Sequence, residues 1–261
     1  MKVYFIGAGP GASDLITLRG ANILGRVSMV LYAGSLVPTD MLQHCRPDTE
    51  LIDTAELDIE QQEACYRRAQ EDDCDVARLH SGDPAIYGAT AEQMRRLDAL
   101  GIDYDIVPGV SSFSAAAASI KAELTKPEIS QSIILTRVSG RASAVPELES
   151  IARLAEHQTT MCIFLSGPHL KKIVTDLRFH YPNDTPVALV YRATWPEERF
   201  YQGTLGSILK ETKKADWNLT TMLLVGKALG RDVQTESSLY SKDFTHIFRV
   251  VEKKKSPSTS T

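Results

Sequence analysis

His80-Ser-Gly-Asp-Pro-Ala-Ile-Tyr-Gly88 is the stretch on which the reading of this 261-residue chain turns. Before it, Asp75-Val-Ala-Arg-Leu79 alternates polar and apolar residues as a β-strand does. After it, Thr90-Ala-Glu-Gln-Met-Arg-Arg-Leu97 spaces its apolar residues as a helix does. A loop between a strand end and a helix start is where open α/β sheets place ligands. Pro84 fixes its own φ and biases Asp83 out of the helical region, so the turn is stiff. Gly82 and Gly88 put no side chain between a flat ligand and the backbone. Asp83, in the middle, can accept hydrogen bonds. Gly-Asp-Pro alone is also an ordinary turn, so the rest of the chain must decide.

Toward the N-terminus, Val3-Tyr-Phe-Ile6 reads as a strand running into Gly7-Ala-Gly-Pro-Gly-Ala12. Ser13 or Asp14 is the expected cap of a helix through Ile16, Leu18 and Ile23. Val27-Ser-Met-Val-Leu-Tyr32 is a strand, a helix start follows Pro38-Thr-Asp40, Glu50-Leu-Ile-Asp53 is a short strand, and 59–70 is a polar helix. On the other side, Tyr104-Asp-Ile-Val107 precedes Pro108-Gly109, and an Ala-rich helix begins at Ser111. Strands alternating with helices at these lengths predict a mainly parallel sheet.

A second set of elements starts at Ser132-Ile-Ile-Leu-Thr-Arg137. Helices are expected over 147–157 and 170–180, and strands over 160–165, 186–192, 199–203 and 220–226. The strands at 186–192 and 199–203 are too close for a crossover helix. They should pair antiparallel, which makes the second sheet mixed. The expected division is an N-terminal αβα domain over 1–112, a C-terminal one over 113–230, and an extension over 231–261. The last residues of that extension, Lys253-Lys-Lys-Ser-Pro-Ser-Thr-Ser-Thr261, read as a disordered tail.

Composition narrows the function. Hydrophobic residues are 43%, enough for an ordinary core, yet no apolar run approaches the roughly 20 residues that cross a bilayer. No membrane role is expected. A net charge of −4 argues against a general nucleic-acid binder. The four cysteines form no Cys-x-x-Cys pair, so they read as reduced thiols and not as a metal site. The first residues enter a strand at once and leave no room for a signal peptide, so a cytoplasmic location is expected.

Gly7-Ala-Gly-Pro-Gly-Ala12 satisfies the dinucleotide fingerprint G-x-G-x-x-[G/A] formally. It fails on two counts. Pro10 removes a backbone N–H from the loop that would cradle a pyrophosphate. The next strand ends Leu31-Tyr-Ala-Gly34 without the carboxylate that would hold a ribose.

Phe5-Ile-Gly-Ala-Gly-Pro-Gly11, Ser81-Gly-Asp-Pro84 and Val107-Pro-Gly-Val-Ser-Ser112, in this order and at these intervals, resemble the tetrapyrrole methylase family. The resemblance runs from Lys2 to about Leu229. Leu31-Tyr-Ala-Gly-Ser-Leu-Val37, Leu135-Thr-Arg-Val-Ser-Gly-Arg-Ala-Ser143 and Ala193-Thr-Trp-Pro-Glu-Glu-Arg199 look like the branch acting at carbon 11 of precorrin-4. The resemblance implies two αβα domains, S-adenosylmethionine in the cleft between them, a homodimer, and precorrin-4 or cobalt-precorrin-4 as the methyl acceptor. It places the cofactor contacts on Pro10, Ser81, Gly82, Asp83, Ile86, Ser111, Ser112, Ser166 and Ala193. At Ser111 and Ser112 the family often has Thr-Ala, which implies backbone contacts there. Several relatives carry an Asp, proposed as a proton acceptor, where this chain has Gly34, so no catalytic base carries over.

Methyl transfer to carbon needs an in-line approach and exclusion of water more than it needs a protein nucleophile. The acetate and propionate groups of a tetrapyrrole call for fixed cations, and Arg137, Arg141 and Arg192 stand at or just beyond strand ends. Lys121 and Lys126 are weaker candidates. His80 and Tyr87 are the nearest titratable groups, His80 more as a structural residue than as a proton carrier. His169 suits a helix cap or the surface. Trp195 could wall a flat macrocycle or simply pack a hairpin. Two other readings stay open: a family relative with a different acceptor, and a non-catalytic adenosyl- or dinucleotide-binding sensor.

Overall fold

The computed structural model describes residues 1–139, 144–231, 237, 244–245 and 247–249. Arg141 and the segment 253–261 lie outside them.

The first sheet is built from β1 (Lys2–Gly7), β2 (Met29–Tyr32), β3 (Glu50–Asp53), β4 (Val76–His80) and β5 (Asp103–Val107), in the order β3-β2-β4-β1-β5. Every pairing in it is parallel. The middle strand β4 is buried throughout, as a parallel strand covered on both faces must be. All five strands therefore deliver their C-terminal ends, and the loops that follow, to one edge of the sheet.

The helices of this half are α1 (Leu18–Leu24), α2 (Ile59–Glu71) and α3 (Thr90–Leu100). In α2 a capping box between Asp58 and Gln61 satisfies the first amides from both sides. The start of α1 differs from expectation. Ser13–Leu15 makes only a single 3₁₀ turn, Ile16 and Thr17 are extended, and the Thr17 hydroxyl accepts from the Gly20 amide to begin the helix. β2 also begins later than its apolar run, because the Val27 amide is claimed by Ile23 in the turn that ends α1. After Pro38 the expected helix is a 3₁₀ stretch, Thr39–His44.

α4 (Ser112–Ser119) packs against the second sheet. Ala115, Ala116 and Ala117 lie on Cys162, Ala188, Val190 and Leu224. Small side chains let the helix lie close to the strands, and the packing leaves Ser111 and Ser112 at the junction.

The second sheet contains β6 (Ile133–Arg137), β7 (Thr160–Phe164), β8 (Pro186–Tyr191), β9 (Arg199–Thr204) and β10 (Thr221–Val225), ordered β6-β7-β10-β8-β9. β6 and β7 are parallel, while β7–β10, β10–β8 and β8–β9 are antiparallel. The sheet is mixed, and the 186/199 pair is the antiparallel hairpin the spacing requires. Its other face carries α5 (Ile151–Ala155), α6 (Leu170–Leu177) and α7 (Ile208–Glu211). Leu170, Ile173, Val174 and Leu177 repeat at i, i+3, i+4 and i+7, the stripe that one helix face buries. The helix expected over 147–157 is broken at Ser150, which is extended between a 3₁₀ turn and the short α5. Among the described residues no helix is long and apolar enough to cross a membrane.

Candidate active site

Three loops from the C-terminal edge of the first sheet interlock before any side chain is considered. The Ala8 amide donates to His80 O at 2.8 Å, and Gly9 and Gly82 exchange two backbone bonds at 3.2 and 2.7 Å. A Cβ on Gly7 would lie 2.5 Å from Gly109 Cα, and one on Gly109 would lie 2.2 Å from Gly82 O. Backbone meets backbone here, so neither neighbour can give way. Gly82 has φ +67°, a conformation that costs any other residue strain. Gly88 serves the turn and not a ligand, because its Cβ would sit 2.5 Å from Pro84 O. The Asp83 carboxylate staples two of the loops: one oxygen accepts from Ala85 N at 2.8 Å, the other from Gly109 N at 2.9 Å.

The opposite wall comes from the second sheet, and the two enclose a cavity of about 700 Å³. A strap after β8 ties the halves together. Trp195 Nε1 donates to Pro10 O at 2.9 Å, and the Ala12 amide donates to Thr194 Oγ1 at 3.0 Å. Glu198 accepts from the Thr194 amide and from Ser119 Oγ. Arg192 and Thr194 in this strap have φ +46° and +69°, strained values for residues with a Cβ. Trp195 thus neither walls a ligand alone nor merely packs a hairpin; it docks on the glycine-rich loop. Its seat exists because Gly11 has no side chain, since a Cβ there would lie 2.2 Å from the indole.

Of the residues singled out from sequence, Pro10, Ser81, Gly82, Asp83, Ile86, Ser111, Ser112, Ala193 and Arg192 all line this one cavity. Ser166 does not. It is fully buried, and its hydroxyl donates to Thr221 O at 3.1 Å. Arg137 stands one layer back, its guanidinium 5.8 Å from the Tyr87 ring. Lys126 is engaged elsewhere, on Gly230 O at 2.6 Å. Arg192 is the one cation among the described lining residues; it stacks 4.8 Å from the Trp195 ring and pairs with Glu197 at 3.4 Å.

His80 lies behind Ser81, only 7% exposed. Burial, reinforced by the Arg78 charge and opposed by a backbone bond to Gly88, pushes its pKa down to about 3. That shift keeps its ring neutral at physiological pH. Tyr87 bridges the halves instead, with its ring edge-on to Phe164 at 5.0 Å.

Sequence reasoning missed a feature of the mouth. Leu36, Tyr87, Leu165 and Leu219 line the cavity while 46%, 52%, 43% and 57% exposed. They come from four separate loops of both halves. Exposed apolar side chains converging on one opening mark a binding surface. The chain thus offers two unlike walls: an inner one made of main chain and small residues, and an outer apolar rim with one arginine. A second cavity of similar size lies between α1 and β5, but its walls come from the first half of the chain only.

The sequence profile of the Tetrapyrrole (Corrin/Porphyrin) Methylases matches residues 2–209. The chain is 46% identical over 249 residues to a precorrin-4 C(11)-methyltransferase of Pseudomonas aeruginosa, covering 95% of this chain and 99% of that one. It is 42% identical to a cobalt-precorrin-4 C(11)-methyltransferase of Methanocaldococcus jannaschii, with 97% and 98% covered. Among solved structures, a cobalt precorrin-4 methyltransferase of cobalamin biosynthesis superposes with a TM-score of 0.84 at 41% identity, covering 88% of this chain and 96% of that one. A uroporphyrin-III C-methyltransferase from Thermus thermophilus, complexed with S-adenyl homocysteine, shares the fold at a TM-score of 0.73 and 24% identity, with 88% and 99% covered.

Proposed function

The chain belongs to the tetrapyrrole methylases, and from that premise we propose that it transfers a methyl group from S-adenosylmethionine to carbon 11 of precorrin-4, or of its cobalt complex, in cobalamin biosynthesis. The observation that carries the reading is the pairing of a main-chain inner wall with an apolar outer rim in one cavity between two sheets. The inner wall fits the cofactor: glycines and small residues let a ligand approach amides and carbonyls directly. Pro10, Ser81, Gly82, Asp83, Ile86, Ser111, Ser112 and Ala193 would hold it. When bound, S-adenosylmethionine supplies a methyl group already activated as a sulfonium.

The chain's own residues orient and shield. Leu36, Tyr87, Leu165 and Leu219 offer apolar surface to a flat macrocycle, and Arg192 offers a guanidinium to one of its carboxylates. Desolvation by that rim keeps water from the transferring methyl. Asp83 is the one carboxylate among the described lining residues, and both its oxygens are committed to loop amides. The proton lost from the acceptor therefore goes to water or to a group of the substrate, after carbon–carbon bond formation. We take residues 1–112 and 113–230 as the two domains, 231–261 as an extension, and a cytoplasmic homodimer as the working form.

The test is incubation of the purified protein with methyl-labelled cofactor and precorrin-4, with and without cobalt. One added methyl per tetrapyrrole, located at carbon 11 by carbon NMR, is the expected result. Tight binding of S-adenosylhomocysteine with no methylation of either form would redirect the search to another acceptor or to a sensing role.

A further inference from the structure

The loop after β2 reaches the cavity rim through Ser35 and Leu36, and it is held from outside by a neighbouring strand. β2 and β3 run parallel with Tyr32 opposite Asp53, so the two strand exits lie side by side. One oxygen of Asp53, Oδ1, accepts from the Gly34 amide and from the Ala55 amide, both at 2.9 Å. The other oxygen lies 2.3 Å from where a Cβ on Gly34 would be. Gly34 is not in the left-handed region, so its backbone would tolerate any residue. What a Cβ there would meet is the Asp53 carboxylate alone, which would have to swing off the loop to admit it.

We infer that Asp53 is a positioning residue for the methyl acceptor: its carboxylate clamps the rim loop 33–37 so that Ser35 and Leu36 face the cavity mouth. This rests on the reading of the outer rim as the acceptor's wall. Leu36 belongs to that rim by its exposure, and the inner main-chain wall is built by other loops.

Two neighbouring contacts complete the clamp. Thr54 Oγ1 donates to Tyr32 O at 3.1 Å and accepts from Arg78 Nη1 at 2.9 Å. Val37, 1% exposed, anchors the far end of the loop in the core. Between Asp53 and Val37 the loop keeps two internal bonds, from the Leu36 and Val37 amides to Ala33 O at 2.9 Å each. Asp53 is a clamp and not a base. The Gly34 and Ala55 amides, with the Arg78 charge adding to them, hold its carboxyl below the usual carboxylate range.

The experiment compares Asp53→Ala, Asp53→Asn, Gly34→Ala and the Asp53→Ala/Gly34→Ala double variant. Asn keeps an oxygen that can take both amides, so it should stay close to wild type. Asp53→Ala should lower kcat/KM for precorrin-4 by roughly ten- to a hundredfold, chiefly through KM, with S-adenosylhomocysteine affinity by calorimetry unchanged. Gly34→Ala should do the same, and the double variant no worse than either single one, because each change removes the same contact. Hydrogen exchange of the amides of 33–37 tests the clamp with no acceptor present: faster in Asp53→Ala, unchanged in Asp53→Asn. Three results would overturn the inference. They are unchanged exchange in Asp53→Ala, equal losses of acceptor and cofactor affinity, or a collapse of kcat in Asp53→Asn with both ligands bound. A wild-type protein that turns over no precorrin-4 would sink the functional reading alone, since the exchange experiment still decides the clamp.

Discussion

Gly11→Ala puts one methyl group into the junction between the two halves. The new Cβ would lie 2.2 Å from Trp195 Cδ1, 2.5 Å from Nε1 and 3.0 Å from Thr194 Oγ1. Gly11 is not in the left-handed region, so the backbone itself accepts alanine. To reach ordinary contact the indole must retreat by about 1 Å, which takes Nε1 out of hydrogen-bond range of Pro10 O. The lost bond is worth about 0.5–1.5 kcal/mol and the overpacking about 1–3 kcal/mol, so roughly 3 kcal/mol is the expected total. For a chain of this size that is about 6–12 °C in Tm by calorimetry. Activity should suffer more. Arg192 stacks on the same ring, and an ångström of misplacement at a site can cost about a hundredfold in rate. Trp195→Phe is the comparison, since it loses the hydrogen bond and the part of the indole that seats on Gly11 but adds no crowding at the loop. It should cost about 1 kcal/mol and far less activity. If Gly11→Ala melts and turns over like the wild type, the strap does not set the aperture. If Trp195→Phe does equal harm, loss of the seated indole and its bond, and not crowding by the new methyl group, is what matters.

Arg192→Ala should raise the KM for the tetrapyrrole roughly ten- to a hundredfold, the loss of one charge-assisted bond, with cofactor affinity unchanged by calorimetry. Loss of both affinities together would make Arg192 a support of the strap only. His80 should stay neutral from neutral pH down to about 3, so its ring protons should show no NMR inflection near 6.5. The sign of the linkage follows. Between 6.5 and about 3 the unfolded chain binds a proton that the folded chain refuses, so stability falls as pH falls, by at most about 1.4 kcal/mol per pH unit from this group. Gly109→Ala should destabilise far more than Gly82→Ala in denaturant titrations. A Cβ on Gly109 would meet the Gly82 carbonyl at 2.2 Å, whereas the nearest neighbour of a Cβ on Gly82 is 3.7 Å away and its cost is mainly the left-handed φ, about 1–2 kcal/mol.

The layout of both sheets was legible because their strands are short apolar runs bounded by glycine, proline and polar residues. The 186/199 hairpin followed from the shortness of its connection alone. What failed were local contests between neighbours. Thr17 outcompetes Ser13 as the cap of α1, and Ser150 breaks a helix whose apolar spacing continues through it. The four residues of α7 are too few to show a period. At the site, the loops of the first sheet announced themselves through Gly and Pro at fixed intervals. Leu36, Leu165 and Leu219 gave no such signal, because an apolar residue on a loop looks the same whether it packs inward or rims a mouth. Asp53 was invisible for another reason. Gly34 reads in sequence as a carboxylate gone missing, and only the register of Tyr32 with Asp53 shows that a carboxylate from the next strand occupies the space beside it.

The stapled Asp83 has a kinetic consequence. Each Asp83 oxygen accepts from a loop amide, so the one carboxylate among the described lining residues is engaged in holding the loops that meet the cofactor. Fresh cofactor carries in a methyl group and a positive charge that spent cofactor lacks, and the two otherwise present the same adenosyl and amino-acid parts to the same backbone. Discrimination between them should therefore rest on little beyond the charge itself, and competition calorimetry with both molecules checks it. If the two bind alike and both are abundant, flux would follow the ratio of fresh to spent cofactor, and its throttle would lie with whatever reaction clears the by-product.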